Sequence, residues 1–156
     1  MTASAFTLYS KNKDRLSLLD LSGAVVQLAL VTSAYAPDAS VTGHSLYADL
    51  VPASNELATG NGYTNGGNAL ASKVSTAIAG GFKFSSSAFV WTASGTGIPA
   101  HRYVVMYVLG TLWGRVNPVI GYYQGDSTAG GTDIPLTTSG NTLTETPAAG
   151  GWFDIT

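Results

Sequence analysis

The most continuous pattern of apolar positions lies in the second half of the chain. Residues 101–109 carry aromatic or β-branched side chains at almost every position, which is typical of a strand covered on both faces. A second apolar run, residues 118–124, follows after a bend at residues 113–115. The two runs predict a hairpin at the centre of the fold, with shorter elements around it.

Shorter apolar or alternating segments, separated by turn residues, occupy most of the remaining chain. Residues 24–31 are apolar and β-branched and predict a good strand, whereas residues 45–51 fit either a short helix or a strand. A turn at residues 139–141 is predicted to separate two further strands. The shorter predicted strands are residues 70–78, 82–84, 88–91, 133–136, 142–144 and 152–155.

The first 21 residues predict an arm followed by a short helical segment. Residues 1–10, with an alternating segment at 6–9, read as an arm donated to a neighbour's sheet edge or as an edge strand of the chain's own sheet. Residues 11–21 fit one or two helical turns that Gly23 ends. We therefore predict an all-β, single-domain antiparallel β-sandwich or jelly-roll-like barrel over residues 11–156, with at most one or two short helices.

Charge is scarce, and this limits the partners that the surface can bind. Charged residues are 10% of the 156 and the net charge is -2, against about 25% charged residues in a typical soluble domain. The basic residues cluster only at positions 11–15, so we expect no binding to nucleic acid. We also expect no signal peptide and no membrane span. The low charge indicates a surface shared with other subunits, a surface made polar by Ser, Thr, Asn and Gly, or both.

The residues that carry chemistry form no strong constellation. His44 and His101 are the only histidines, no Gly-x-Ser-x-Gly elbow accompanies them, and His44 and Asp49 give a weak zinc spacing. Asp126 and Asp133 frame a Gly-rich turn, but a calcium loop requires more carboxylates at fixed offsets. We predict no catalytic, metal or cofactor site. A β-sandwich hydrolase, built on carboxylates that folding brings together, is the weaker alternative.

Tyrosines mark the two central runs, at positions 103, 107, 122 and 123. Aromatic stripes bind sugars or stack on nucleobases in some proteins, but more often they form cores and subunit contacts. No Lys or Arg is interleaved with them as base stacking would require. A sugar-binding face therefore stays as an alternative to core packing.

Four motifs follow one another along the chain: LVTSAYAPD at 30–38, GNGYTNGG at 60–67, RYVVMY at 102–107 and PVIGY at 118–122. This order resembles a group of small virion proteins of tailed bacteriophages. The resemblance covers residues 16–125. The turn with tyrosine and paired glycines and the Arg-Tyr strand together carry most of it.

The resemblance implies a structural role without enzyme activity or cofactor. We expect a capsid decoration (cement) protein on the outside of the virion head, and the alternative is a neck or tail component, including an adhesin for host glycans. Partners would be the major capsid protein or other virion proteins and further copies of this chain, with a trimer matching the local symmetry of a capsid. The candidate subunit-contact residues are Phe6, Leu8, Tyr9, Leu112 and Trp113.

Overall fold

Short strands dominate the computed structural model, which describes residues 3–50, 55–128 and 131–156. The helical elements are α1 (Ser10–Lys13), α2 (Leu18–Gly23) and a 3-10 helix at Tyr47–Asp49. The strands are β1 (Thr7–Leu8), β2 (Val25–Val31), β3 (Asn68–Ala69), β4 (Val74–Ile78), β5 (Gly81–Ser85), β6 (Phe89–Thr92), β7 (Tyr103–Leu109), β8 (Thr111–Leu112), β9 (Arg115–Val116), β10 (Val119–Gln124), β11 (Thr142–Glu145) and β12 (Phe153–Ile155). The prediction of an all-β fold with two short α-helices is confirmed.

The largest sheet has the strand order β1-β10-β7-β2-β3, and all its neighbours are antiparallel. β7 lies in the middle, where β2 pairs with its full length and β10 pairs with Tyr103–Tyr107. The predicted pairing of the two central runs is therefore confirmed. The β8–β9 ribbon fills the connection between them.

Both faces of this sheet are covered, which explains the apolar residues at successive positions of β2 and β7. On one face, Leu28 and Met106 belong to a large cluster with Phe84 and Trp91 of the smaller sheets. The opposite face carries a second cluster that lies under the segment between β2 and the 3-10 helix. Its buried members are Tyr9, Ala29, Val31, Tyr35, Leu50, Val105, Tyr107 and Val119.

The smaller sheets form the second layer of a β-sandwich. One has the order β12-β5-β4, and the other pairs β11 with β6. The described strands form open sheets and close no barrel, so the sandwich form of the prediction holds rather than a closed barrel. Among the described residues, no helix has the length and apolarity needed to cross a membrane.

Two local predictions differ from the structure. The segment 70–78 is interrupted at Ser72, whose φ of 51° is incompatible with a strand, so the ladder begins only at β4. Within residues 133–136 only Ile134 forms an isolated bridge, to His101, and Pro135 supplies no N–H for a ladder. β11 pairs with β6, where Leu143 lies opposite Trp91 and packs on the core. Within 45–51 the 3-10 helix forms, and residue 51 lies outside the described residues.

Candidate functional site: an interaction surface and two buried acids

The N-terminal arm is an edge strand of the chain's own largest sheet. β1 pairs with β10 through Thr7 and Leu8, and the pairing extends on both sides through backbone bonds. Ser4 N donates to the carbonyl of Gln124 at 2.8 Å, and Tyr9 N donates to the carbonyl of Ile120 at 3.0 Å. Residues 1 and 2 of the predicted arm lie outside the described residues. Of the two readings of the arm, this chain by itself forms the intramolecular one.

Phe6 packs over a glycine of β10. Its ring stacks on Phe153 with 5.2 Å between centroids. Gly121 lies beneath it in β10, where an added Cβ would come within 2.1 Å of the Phe6 ring. The absence of a side chain at position 121 therefore allows the arm to lie flat against the sheet.

The next two predicted contact residues, Leu8 and Tyr9, point to opposite sides of the arm. Leu8 packs against the larger core cluster, whereas Tyr9 is fully buried in the second one. The Tyr9 hydroxyl lies 2.6 Å from that of Tyr35, which in turn lies 2.7 Å from His44 Nδ1. Burial raises the pKa of Tyr9 and raises that of Tyr35 to about 12, so both hydroxyls stay neutral and available for these bonds.

Leu112 and Trp113 lie on the β8–β9 ribbon beside α2, and this ribbon is a separate sheet from the one that contains β1. Trp113 and Gly114 form its turn with φ angles of 53° and 73°, the pattern of a type I′ turn. A tryptophan is unusual in this conformation. Its indole N–H donates to Asp20 at 2.9 Å and its carbonyl accepts from Arg15 at 3.0 Å, which holds the turn against α2.

Exposed apolar side chains cluster around this ribbon. Leu19 is 80% exposed and Val116 63%, and Val25 and Leu109, which face each other across β2 and β7, are about half exposed. We call Leu19, Val25, Leu109, Leu112 and Val116 the apolar rim. All of these except Val116 line one shallow depression of about 450 Å³. Exposed apolar side chains that surround one depression in this way are a feature of interaction sites.

The two histidines and Asp49 are placed separately and serve local structure. His101 is buried, its Nδ1 lies 3.5 Å from the carbonyl of Pro99, and burial lowers its pKa. His44 bonds to Tyr35, and Asp49 accepts the backbone N–H groups of residues 45 and 46. The described residues contain no group of three His, Cys, Asp or Glu placed to hold a metal ion.

Asp126 and Asp133 are likewise used by the fold. Both N–H and hydroxyl groups of Thr128 and Thr132 donate to the Asp126 carboxylate, and the bonds from Thr132 contribute most to lowering its pKa. Asp133 accepts from Arg102 Nε at 2.8 Å. The two carboxylates therefore stabilise a turn and an ion pair.

The tyrosines of the central strands pack inside the protein. Tyr107 and Tyr123 are buried on opposite faces of the sheet. Tyr103 and Tyr122 are half-buried and meet edge to face at 5.9 Å. These positions favour core packing over an exposed sugar-binding stripe.

A buried carboxylate, Glu56, organises the GNGYTNGG motif, which the sequence analysis treated as a turn. Its Oε1 accepts from the Tyr63 hydroxyl at 2.5 Å and from Gly66 N at 2.6 Å, and its other oxygen accepts from the Tyr47 hydroxyl. Tyr63 also accepts the N–H of Leu30, which ties the motif to β2. Burial raises the pKa of Tyr63 and Tyr47, so they act as donors.

The second glutamate of the chain, Glu145, is also buried and was also missed. It lies at the end of β11, and its carboxyl accepts from the Tyr123 hydroxyl. Burial is the main cause that raises the pKa of this carboxyl. The available signal was its spacing of two residues from Leu143, which puts both side chains on the inward face of a strand.

The comparisons with known proteins identify no relative. The chain matches no family model, no curated protein and no solved structure. The functional interpretation therefore depends on the motifs of the sequence and on the surfaces described above.

Proposed function

We propose that this chain is a non-enzymatic structural protein of a bacteriophage virion, a decoration protein that binds the outside of the head. Two observations support the proposal. The order of motifs resembles small tailed-phage virion proteins, and the apolar rim gives a charge-poor chain a surface suited to contact with other subunits. The rim is the main support, because exposed residues of α2, β2 and β7 meet at one depression.

The low charge fits this role physically. A subunit that is surrounded by copies or by a shell loses hydration at its contacts, and burying unpaired charges there would be costly. A contact of modest strength is sufficient when a shell repeats it many times, because each bound copy stabilises the assembled state by mass action. Leu112 belongs to the rim and Trp113 adjoins it, so both remain candidate contact residues.

The test is binding to heads that lack the protein. We expect Leu19→Glu and Leu109→Glu to lower occupancy on such heads at least tenfold, because each puts a charge into the contact. Val41 is 73% exposed and lies outside the rim, so Val41→Glu is the matched control and should bind like the unaltered protein. Full occupancy by both rim variants would overturn the role assigned to the rim.

Position on the particle is a separate measurement. Gold-labelled antibody should mark the shell of purified particles. A signal confined to the neck or tail would overturn the decoration role in favour of the alternative stated above. Turnover on a panel of glycosidase and esterase substrates would contradict the non-enzymatic assignment.

A further inference from the structure

A cavity of about 320 Å³ lies between the N-terminal arm and the segment that leads into β12. Phe6, Tyr123 and Trp152 contribute aromatic rings to its lining, and Glu145 contributes a carboxyl. The Tyr123 ring is in the middle, 6.5 Å from Phe6 and 6.2 Å from Trp152 between centroids. The volume is at the lower end of the range for small-ligand sites.

Glu145 is the least compensated buried acid in the described part of the chain. Glu56 accepts three hydrogen bonds and Asp126 accepts four, whereas the Glu145 carboxyl is given one, from Tyr123. Neither of the two ion pairs among the described residues involves it, and the cavity lining contains no Lys or Arg. A carboxylate that is 9% exposed in apolar surroundings is costly unless a proton or a cation neutralises its charge.

Aromatic rings and a carboxylate favour the same kind of ligand. The face of an aromatic ring attracts an ammonium group within about 6 Å, and the attraction increases when the group is desolvated. An uncharged ligand such as a sugar would leave the carboxylate without a counter-charge.

We propose that this cavity binds an alkylammonium group, with Glu145 as its counter-ion and the rings of Phe6, Tyr123 and Trp152 around its alkyl part. A lysine side chain of a partner protein and a small quaternary ammonium compound share this chemistry. The inference does not depend on the virion role and would stand if that role failed.

The experiment is an NMR titration of the intact chain with n-butylammonium and with 1-butanol, its uncharged counterpart of equal size. The indole N–H of Trp152, which donates to Ser86 at 2.9 Å, reports on the cavity, and the indoles of Trp91 and Trp113 serve as internal controls. We expect saturable shifts at Trp152 with n-butylammonium and at least tenfold weaker binding of 1-butanol. Equal binding of the two probes, or shifts without saturation, would overturn the proposal.

Two variants distinguish a specific role of Glu145 as counter-ion from a general effect of negative charge on the protein. Glu145→Gln should weaken n-butylammonium binding at least tenfold, whereas Asp154→Asn, which removes an exposed negative charge on β12, should leave it unchanged. An unchanged affinity in Glu145→Gln would overturn the proposal. If that variant does not fold, the Glu145 carboxyl signal of the unaltered protein decides: its pKa must fall when n-butylammonium binds, and a constant pKa overturns the proposal.

The source of the ammonium group follows from a second probe. Tighter binding of n-butylammonium than of tetramethylammonium supports a lysine-type side chain as ligand. The reverse order supports a quaternary ammonium compound. Failure of both cations to bind contradicts the inference.

Discussion

Replacing Glu56 by alanine should cost much of the stability of the fold. The carboxylate accepts from two tyrosine hydroxyls and from the Gly66 amide, and all three donors lose their acceptor in the variant. Each buried polar group left without a partner costs about 1–3 kcal/mol. Because water enters the truncated site and compensates part of this, we expect a loss of about 3–5 kcal/mol, within the range for breaking a buried charged network.

Urea unfolding followed by tryptophan fluorescence measures this loss as a change in midpoint at constant slope. Glu56→Gln keeps the shape and one carbonyl acceptor and should therefore lose less than the alanine variant. Asp154→Asn, at an exposed position, should change stability by no more than about 0.5 kcal/mol. A double-mutant cycle with Tyr63→Phe should give a coupling energy of about 1–3 kcal/mol. If Glu56→Ala loses less than about 1 kcal/mol, the network does not hold the motif in place and the reasoning is wrong.

Three further predictions concern the arm and the other buried acids. Gly121→Ala should displace Phe6 and cost about 1–3 kcal/mol, seen as faster amide exchange in β1, whereas Gly23→Ala, where an added Cβ meets nothing within 4 Å, should not affect the arm. Because the folded chain binds the Glu145 proton more tightly than the unfolded chain, stability should fall as pH rises from the ordinary carboxyl pKa to the raised one. Glu145→Gln should remove this slope in thermal unfolding, and a slope that persists would assign it to another group. The lowered pKa of Asp126 makes the opposite contribution to the pH dependence of stability, which is lost as pH falls through and below the ordinary carboxyl range. Asp126→Asn should therefore flatten the acid side of the curve of stability against pH, and an unaltered acid side would refute this.

The central sheet was predictable because its strands are specified by local composition. Residues 101–109 and 24–31 are apolar on both faces, and a strand of this kind must lie between two layers. The turn at Asn61 and Gly62 was also predictable, because both residues adopt the positive φ that an Asn-Gly pair tolerates. The paired runs and the short helices near the start of the chain follow from such local signals, whereas the choice between the two alternatives for the arm does not.

The roles of the two buried glutamates could not be predicted, because they depend on contacts between residues that are distant in the sequence. Tyr47 and Tyr63 reach Glu56 from two different segments, and Tyr123 reaches Glu145 across 22 positions of the chain. Which strands pair in the smaller sheets could not be predicted for the same reason, since β11 and β6 are remote in sequence and meet through core packing. The apolar rim also required the fold, because α2, β2, β7 and β9 each contribute only one or two exposed side chains.

The position of β1 also determines when the largest sheet can be completed during synthesis. Thr7 pairs with Tyr122, so about 115 positions separate the two partners. At a translation rate of roughly 5–20 residues per second, the arm emerges roughly 6–23 s before its partner strand exists. During that interval the arm has no partner strand, and ribosomes that follow one another on the same message carry arms in the same unpaired state.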